Sequence, residues 1–115
     1  MTHEELLELH SVTSVRCRRI MESKNKDYTG GSEACDPFAN FRASETVGIH
    51  PIKGILLRMQ DKIQRINSFA NDGKLTVKEE SVNDACEDIV NYAILIKAIA
   101  SEEPILPEEL QHSDT

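Results

Sequence analysis

Apolar side chains recur in this chain at spacings of three and four, the period of a helix that turns one face toward a core. The first such stretch carries Leu6, Leu9, Thr13, Cys17 and Ile20, widened by Val12 and Val15. It opens on Thr2-His3-Glu4-Glu5, a capping box in which hydroxyl and carboxylate each satisfy an end amide. A helix over about 3–23 is predicted. The second stretch carries Ile52, Ile55, Leu56, Met59, Ile63, Ile66 and Ala70. Pro51 suits a first helical position and Gly73 a left-handed stop, which predicts a helix over about 51–71. The third carries Val82, Ala85, Ile89, Ala93 and Ile96 and is apolar almost all round from Ile89 to Ala100, as a central helix would be. A second capping box, Thr76-Val77-Lys78-Glu79, and the prolines Pro104 and Pro107 bound it to about 77–101.

Residues 24–49 follow neither helical nor strand period. They contain Gly30-Gly31, Asp36-Pro37 and three of the five aromatic residues, so this long segment is expected to be an ordered, lid-like loop rather than a disordered one. Residues 112–115 are expected to fray. One domain spans 1–115: an all-α helical bundle of three main helices, with no internal repeat. Three helices leave the broad apolar surface of the third incompletely covered, which predicts association into an oligomer.

Composition narrows the function classes. The chain has 13 basic and 20 acidic residues and a formal charge of −7, the wrong sign for coating a nucleic-acid polymer. Its longest apolar run, Ala93-Ile94-Leu95-Ile96, is too short to span a membrane. No charged-then-apolar leader opens it, so a cytoplasmic location is expected. Cys17, Cys35 and Cys86 are odd in number and widely spaced, which reads as reduced thiols. His3, His10, His50 and His112 have no metal-ligand spacing.

The charge is unevenly placed. Residues 42–78 hold seven basic and three acidic groups, and residues 79–115 hold one and ten. Arg58, Asp61, Lys62 and Arg65 share one face of the second helix, while Glu80, Asp84, Asp88 and Asn91 form a ladder on the third. The ladder continues into Leu95 and Ile99 and is therefore partly desolvated. Buried carboxylates need cations, and two kinds are open: the Arg58/Lys62/Arg65 face, or a divalent metal, Mg2+ or Mn2+ for oxygen-only ligands. Lys24, Lys26, Lys62 and Arg65 can hold phosphate, and Tyr28, Phe38, Phe41 or Tyr92 can stack on a base, which together fit a nucleotide.

Several strings occur in a telling order: Lys24-Asn25-Lys26-Asp27-Tyr28, Asp36-Pro37-Phe38-Ala39-Asn40-Phe41-Arg42, Gly54 through Lys62, Arg65-Ile66, and Glu80-Ser81 with Asp84, Asp88 and Asn91-Tyr92-Ala93. Over about residues 20–98 the chain resembles the nucleotide-modification-associated domain 1 family of phages and bacteria. That family is distantly similar to the MazG-like all-α nucleoside triphosphate pyrophosphohydrolases, helical dimers or tetramers that use magnesium held by paired acidic motifs. The resemblance implies a MazG-like bundle, a homodimer or homotetramer in the bacterial host cytosol. It also implies hydrolysis of a nucleoside or deoxynucleoside triphosphate to monophosphate and pyrophosphate.

On that reading Asp61, Glu80 and Asp84 are catalytic, with Asp88 as a further metal ligand. Lys24, Asp27, Tyr28, Phe38, Asn40, Phe41, Arg58, Lys62, Arg65, Asn91 and Tyr92 contact the nucleotide. The chain departs from the MazG-like pattern, which has ExxE on one helix and ExxD on the next. Here Asp61 is followed by Arg65, and Glu80, Asp84 and Asp88 are spaced by four. Arg58, Lys62 and Arg65 would crowd a second metal. Two alternatives stand beside the hydrolase: a non-catalytic protein that sequesters a nucleotide, such as a host defence signal, and a structural bundle whose charges simply pair.

Overall fold

The computed structural model describes residues 1–29, 42–74 and 81–102, with residues 27–29 described by backbone alone. These residues form three helices, α1 (His3–Thr29), α2 (Pro51–Asp72) and α3 (Val82–Ser101), and a 3₁₀ turn, η1 (Ala43–Val47), ahead of α2. No strand occurs among the described residues, so the chain is all-α, as its periodicity predicts. No helix in them is long and apolar enough to cross a membrane.

The first capping box forms as predicted: the Glu5 N–H donates to Thr2 Oγ1 at 3.1 Å, and the Thr2 N–H donates to Glu5 Oε1 at 3.3 Å. The helix does not stop at Ser23, however, but runs on to Thr29. Nothing between Ser23 and Gly30 breaks a helix, and Lys24 is tied to α3 by an ion pair. The expected 24–49 loop therefore begins as helix. It also contains η1, which Gly48 closes at φ 75°, its N–H donating to Glu45 O and Ser44 O. Residues 30–41, including Phe38, Asn40 and Phe41, lie outside the described residues.

α2 follows its sequence signals closely. His50 Nδ1 accepts the Ile52 N–H at 3.1 Å, Pro51 occupies the first turn, and Gly73 stops the helix at φ 73° with its N–H on Phe69 O. α3 begins later than predicted, at Val82 rather than 77, because Ser81 takes the extended N-cap geometry. Ser81 Oγ accepts the Asp84 N–H at 3.1 Å, and Asp84 Oδ2 accepts the Ser81 N–H at 3.2 Å. Residues 75–80, with the Thr76 capping box and Glu80, and residues 103–115, with the expected frayed tail, lie outside the described residues.

The core sits between α2 and α3, which pack most extensively, while α1 leans chiefly on α3. Ile55 and Ile99 are buried at its centre, packed with Ile52, Tyr92, Leu95, Ile96 and Ala98. Among the described side chains of α1 only Cys17 is fully buried, against Glu87 and Asn91 of α3, while Leu6, Leu9, Val12 and Val15 of the predicted stripe are exposed. α3 is central, as predicted, yet Val90 and Ile94 remain open to solvent.

Candidate functional site

The charged faces of α2 and α3 meet with α1 at one carboxylate. Asp88 Oδ1 lies 3.3 Å from Lys24 Nζ of α1, and Asp88 Oδ2 lies 3.0 Å from Lys62 Nζ of α2. Asp88 and Lys62 keep less than a fifth of their side-chain surface, whereas Lys24 is half exposed. One acidic side chain thus holds cations from two other helices.

Beside this junction opens a cleft of about 370 Å³. α1 contributes Arg18, Met21, Glu22, Lys24 and Asn25 to its walls, α2 contributes Arg58, and α3 contributes Asp88, Asn91, Tyr92 and Leu95. The wall residues recur one helical turn apart on α1 and on α3, so the pairing of the two helices builds the cleft. Tyr92 and Leu95 also pack on the Ile55–Ile99 core, which fixes the apolar floor. Arg18 and Glu22 are 3.5 Å apart at the rim. Three cations, Arg18, Lys24 and Arg58, face two carboxylates among the described walls. Among the described walls cations thus outnumber carboxylates by one, in a chain of net charge −7. Cations beside an apolar floor suit an anion that carries a flat apolar group.

The described members of the proposed metal set, Asp61, Asp84 and Asp88, are each engaged by a neighbouring group. Asp61 Oδ2 is held by Arg65 on its own helix, at 3.2 Å from Nε and 3.1 Å from Nη2. Asp84 closes the cap of α3. The Ser81 N–H, donating to Asp84 Oδ2, holds this carboxyl below its ordinary value, and the Ser81 side chain adds to the effect. Asp88 is engaged by both lysines. No group of three His, Cys, Asp or Glu side chains among the described residues is placed to hold a metal ion. Glu80, Phe38, Asn40 and Phe41 lie outside the described residues. Asp27 and Tyr28 fall on the last turn of α1, their side chains likewise outside.

Asn91 has a role that its ladder position does not suggest. Its Nδ2–H donates to Cys17 O at 3.0 Å, gripping the α1 backbone, while its Oδ1 has no partner among the described residues. One turn earlier Glu87, also buried, binds Arg16 Nε at 2.6 Å through Oε2, and its Oε1 likewise lacks a partner. The Cys17 thiol sits between them, its Sγ 3.8 Å from Glu87 O. Burial first, and the Glu87 charge second, push this thiol up from its ordinary 9.0. Sequence reasoning missed Arg16, Glu87 and the α1 wall of Arg18, Met21 and Asn25. The last three share a face at spacings of three and four, a signal visible once the helix is carried past Ser23.

Compared with known proteins, the chain matches no family model, no curated protein and no solved structure.

Proposed function

We propose that this protein binds a nucleotide in the α1–α2–α3 cleft and retains it rather than hydrolysing it. The observation that carries the reading is the Lys24–Asp88–Lys62 junction at the edge of an apolar-floored cleft. Lys24, Arg18 and Arg58 would take the phosphates, and Met21, Tyr92 and Leu95 the base. A volume of about 370 Å³ falls within the range of small-ligand pockets, roughly 300–1,000 Å³. The resemblance to the nucleotide-modification-associated domain 1 family agrees with a nucleotide as the ligand, although by itself it implies hydrolysis rather than retention.

A magnesium centre would need carboxylates that converge, and the described ones do not fit one. Asp61, Asp84 and Asp88 are bonded to Arg65, Ser81 and the two lysines respectively. Magnesium-dependent pyrophosphate release is the second reading, favoured by Asp84 and Asp88 standing on successive turns of α3. It requires a metal ion to displace both ammonium groups from Asp88.

A thermal-shift panel of nucleoside mono-, di- and triphosphates, with magnesium or with EDTA, tests the proposal, because a ligand selective for the folded state raises Tm. Retention predicts a rise in EDTA and no pyrophosphate. Magnesium-dependent pyrophosphate release would favour the hydrolase. A panel without any shift would leave a structural bundle.

A further inference from the structure

α1 is 27 residues long, about 40 Å at 1.5 Å per residue. Its polar contacts to α3 fall at Arg16, Cys17 and Lys24. Ahead of and around them, Leu6, Leu7, Leu9, Val12 and Val15 are each 50–55% exposed. Of these, Leu9, Val12 and Val15 lie on one side of the helix at about 100° per residue, an exposed apolar strip of the kind that marks an interaction site.

The charges on the same helix say what kind of partner fits. Glu4, Glu5 and Glu8 occupy its first turns, and Arg16, Arg18 and Arg19 its second half. Glu5, Glu8, Val12, Arg16 and Arg19 are spaced by three, four, four and three, a series symmetric about Val12 in position and opposite in charge. At about 100° per residue these five lie on one face, roughly 130° around the helix from Cys17 and the α3 contact. Glu8, Val12, Val15, Arg16 and Arg19 line a shallow open depression on that face. Glu8 and Arg19 make no ion pair among the described residues, and Arg16 stays 61% exposed despite its bond to Glu87.

We infer that this face is a self-complementary interface, on which a second copy of the chain lays its own α1 antiparallel about a two-fold axis at Val12. The axis sets Glu5 level with the partner's Arg19 and Glu8 level with the partner's Arg16. Val12 meets its own copy, and Leu9 and Val15 of both chains flank it. A two-fold contact uses one patch twice, so a patch whose charges reverse across its centre satisfies itself. No other partner is required to explain that order. The interface lies away from the cleft floor and does not depend on what the cleft holds.

Sedimentation velocity on the full chain at micromolar concentration tests this inference. The expected species has twice the 12.9 kDa chain mass. Glu5→Arg and Arg19→Glu, each of which opposes like charges, should each weaken the dimer about tenfold or more. Glu5→Arg/Arg19→Glu restores the pair in swapped order and should return to near the parent affinity. Both residues are exposed, and circular dichroism on each variant checks that it still folds. In a Cys35→Ser/Cys86→Ser background, Val12→Cys should form a disulfide-linked dimer on mild oxidation, which only an axis through residue 12 allows. A monomer overturns the inference and would mean that another part of the same chain covers the face. A dimer that neither single reversal weakens, or that Val12→Cys does not cross-link, overturns it equally.

Discussion

Asn91 of α3 reaches across the helix seam and donates its side-chain N–H to the backbone carbonyl of Cys17 on α1, at 3.0 Å. A backbone acceptor fixes position independently of the side chain that follows it. This bond, together with Glu87–Arg16 one turn earlier, therefore sets where α1 lies along α3. Lys24, two turns beyond Cys17, is brought to Asp88 as a result, and the cleft has its third wall.

Asn91→Asp is expected to destabilise the fold by about 3 kcal/mol, because it puts a buried carboxylate against the Cys17 carbonyl and beside Glu87. Asn91→Leu should cost less, about 1 kcal/mol, since it removes the donor and the partnerless Oδ1 together. Urea denaturation of the two variants would show the order.

The two ends of the Arg16–Glu87 pair are not equivalent. Arg16 is mostly in water and Glu87 is buried. Arg16→Ala leaves a desolvated carboxylate alone and should cost about 3 kcal/mol. Glu87→Gln leaves a guanidinium that water can still solvate, and should cost about 1 kcal/mol. Equal losses in denaturation would contradict this asymmetry.

Asp88→Asn should separate the readings of the cleft. Retention predicts tighter nucleotide binding at low salt, about three- to tenfold, because Lys24 and Lys62 lose a competing carboxylate. The same variant should unfold more easily, since two helices lose their shared partner. If Asp88 instead holds magnesium, the change abolishes turnover and weakens metal-dependent binding. Isothermal titration at two salt concentrations distinguishes these outcomes.

The pH dependence follows from two groups. The Asp84 carboxyl is held below its ordinary 3.8, so its contribution is present above that pH and is lost as pH falls through the lower folded value. The Cys17 thiol is raised above its ordinary 9.0, so the unfolded chain releases this proton first. Stability from Cys17 is then full below pH 9.0 and declines as pH rises from there toward the folded value. Denaturation midpoints should fall less steeply on the alkaline side in Cys17→Ala, and less steeply on the acid side in Asp84→Asn.

The sequence is most legible where one residue punctuates a helix. Pro51 and Gly73 bracket α2 almost to the residue, because each acts through its own backbone. At the start of α3 two capping strings, Thr76 to Glu79 and Ser81 to Asp84, stand five residues apart, and local chemistry alone does not choose between them. The end of α1 is illegible for another reason: its apolar stripe fades near Ser23 while its partner contact, Lys24 on Asp88, is more than sixty residues away in sequence. Charges on α2 and α3 are visible as faces, but their partners depend on rotation. Lys62 finds Asp88, whereas Arg65 turns back to Asp61 on its own helix. The exposed Leu6 and Leu9 show a further limit, since periodicity marks a sticky face without naming what meets it.

Cys17 also offers a way to time the seam. Its thiol is fully enclosed where α1 meets α3, while Cys86, on α3 itself, is exposed. An alkylating reagent should modify Cys86 at the rate of a free thiol and reach Cys17 only in the moments when α1 lifts away. With Cys35 replaced, the ratio of the two labelling rates gives the fraction of time the seam stands open. A ligand that bridges α1 and α3 in the cleft would slow the Cys17 clock and leave Cys86 unchanged.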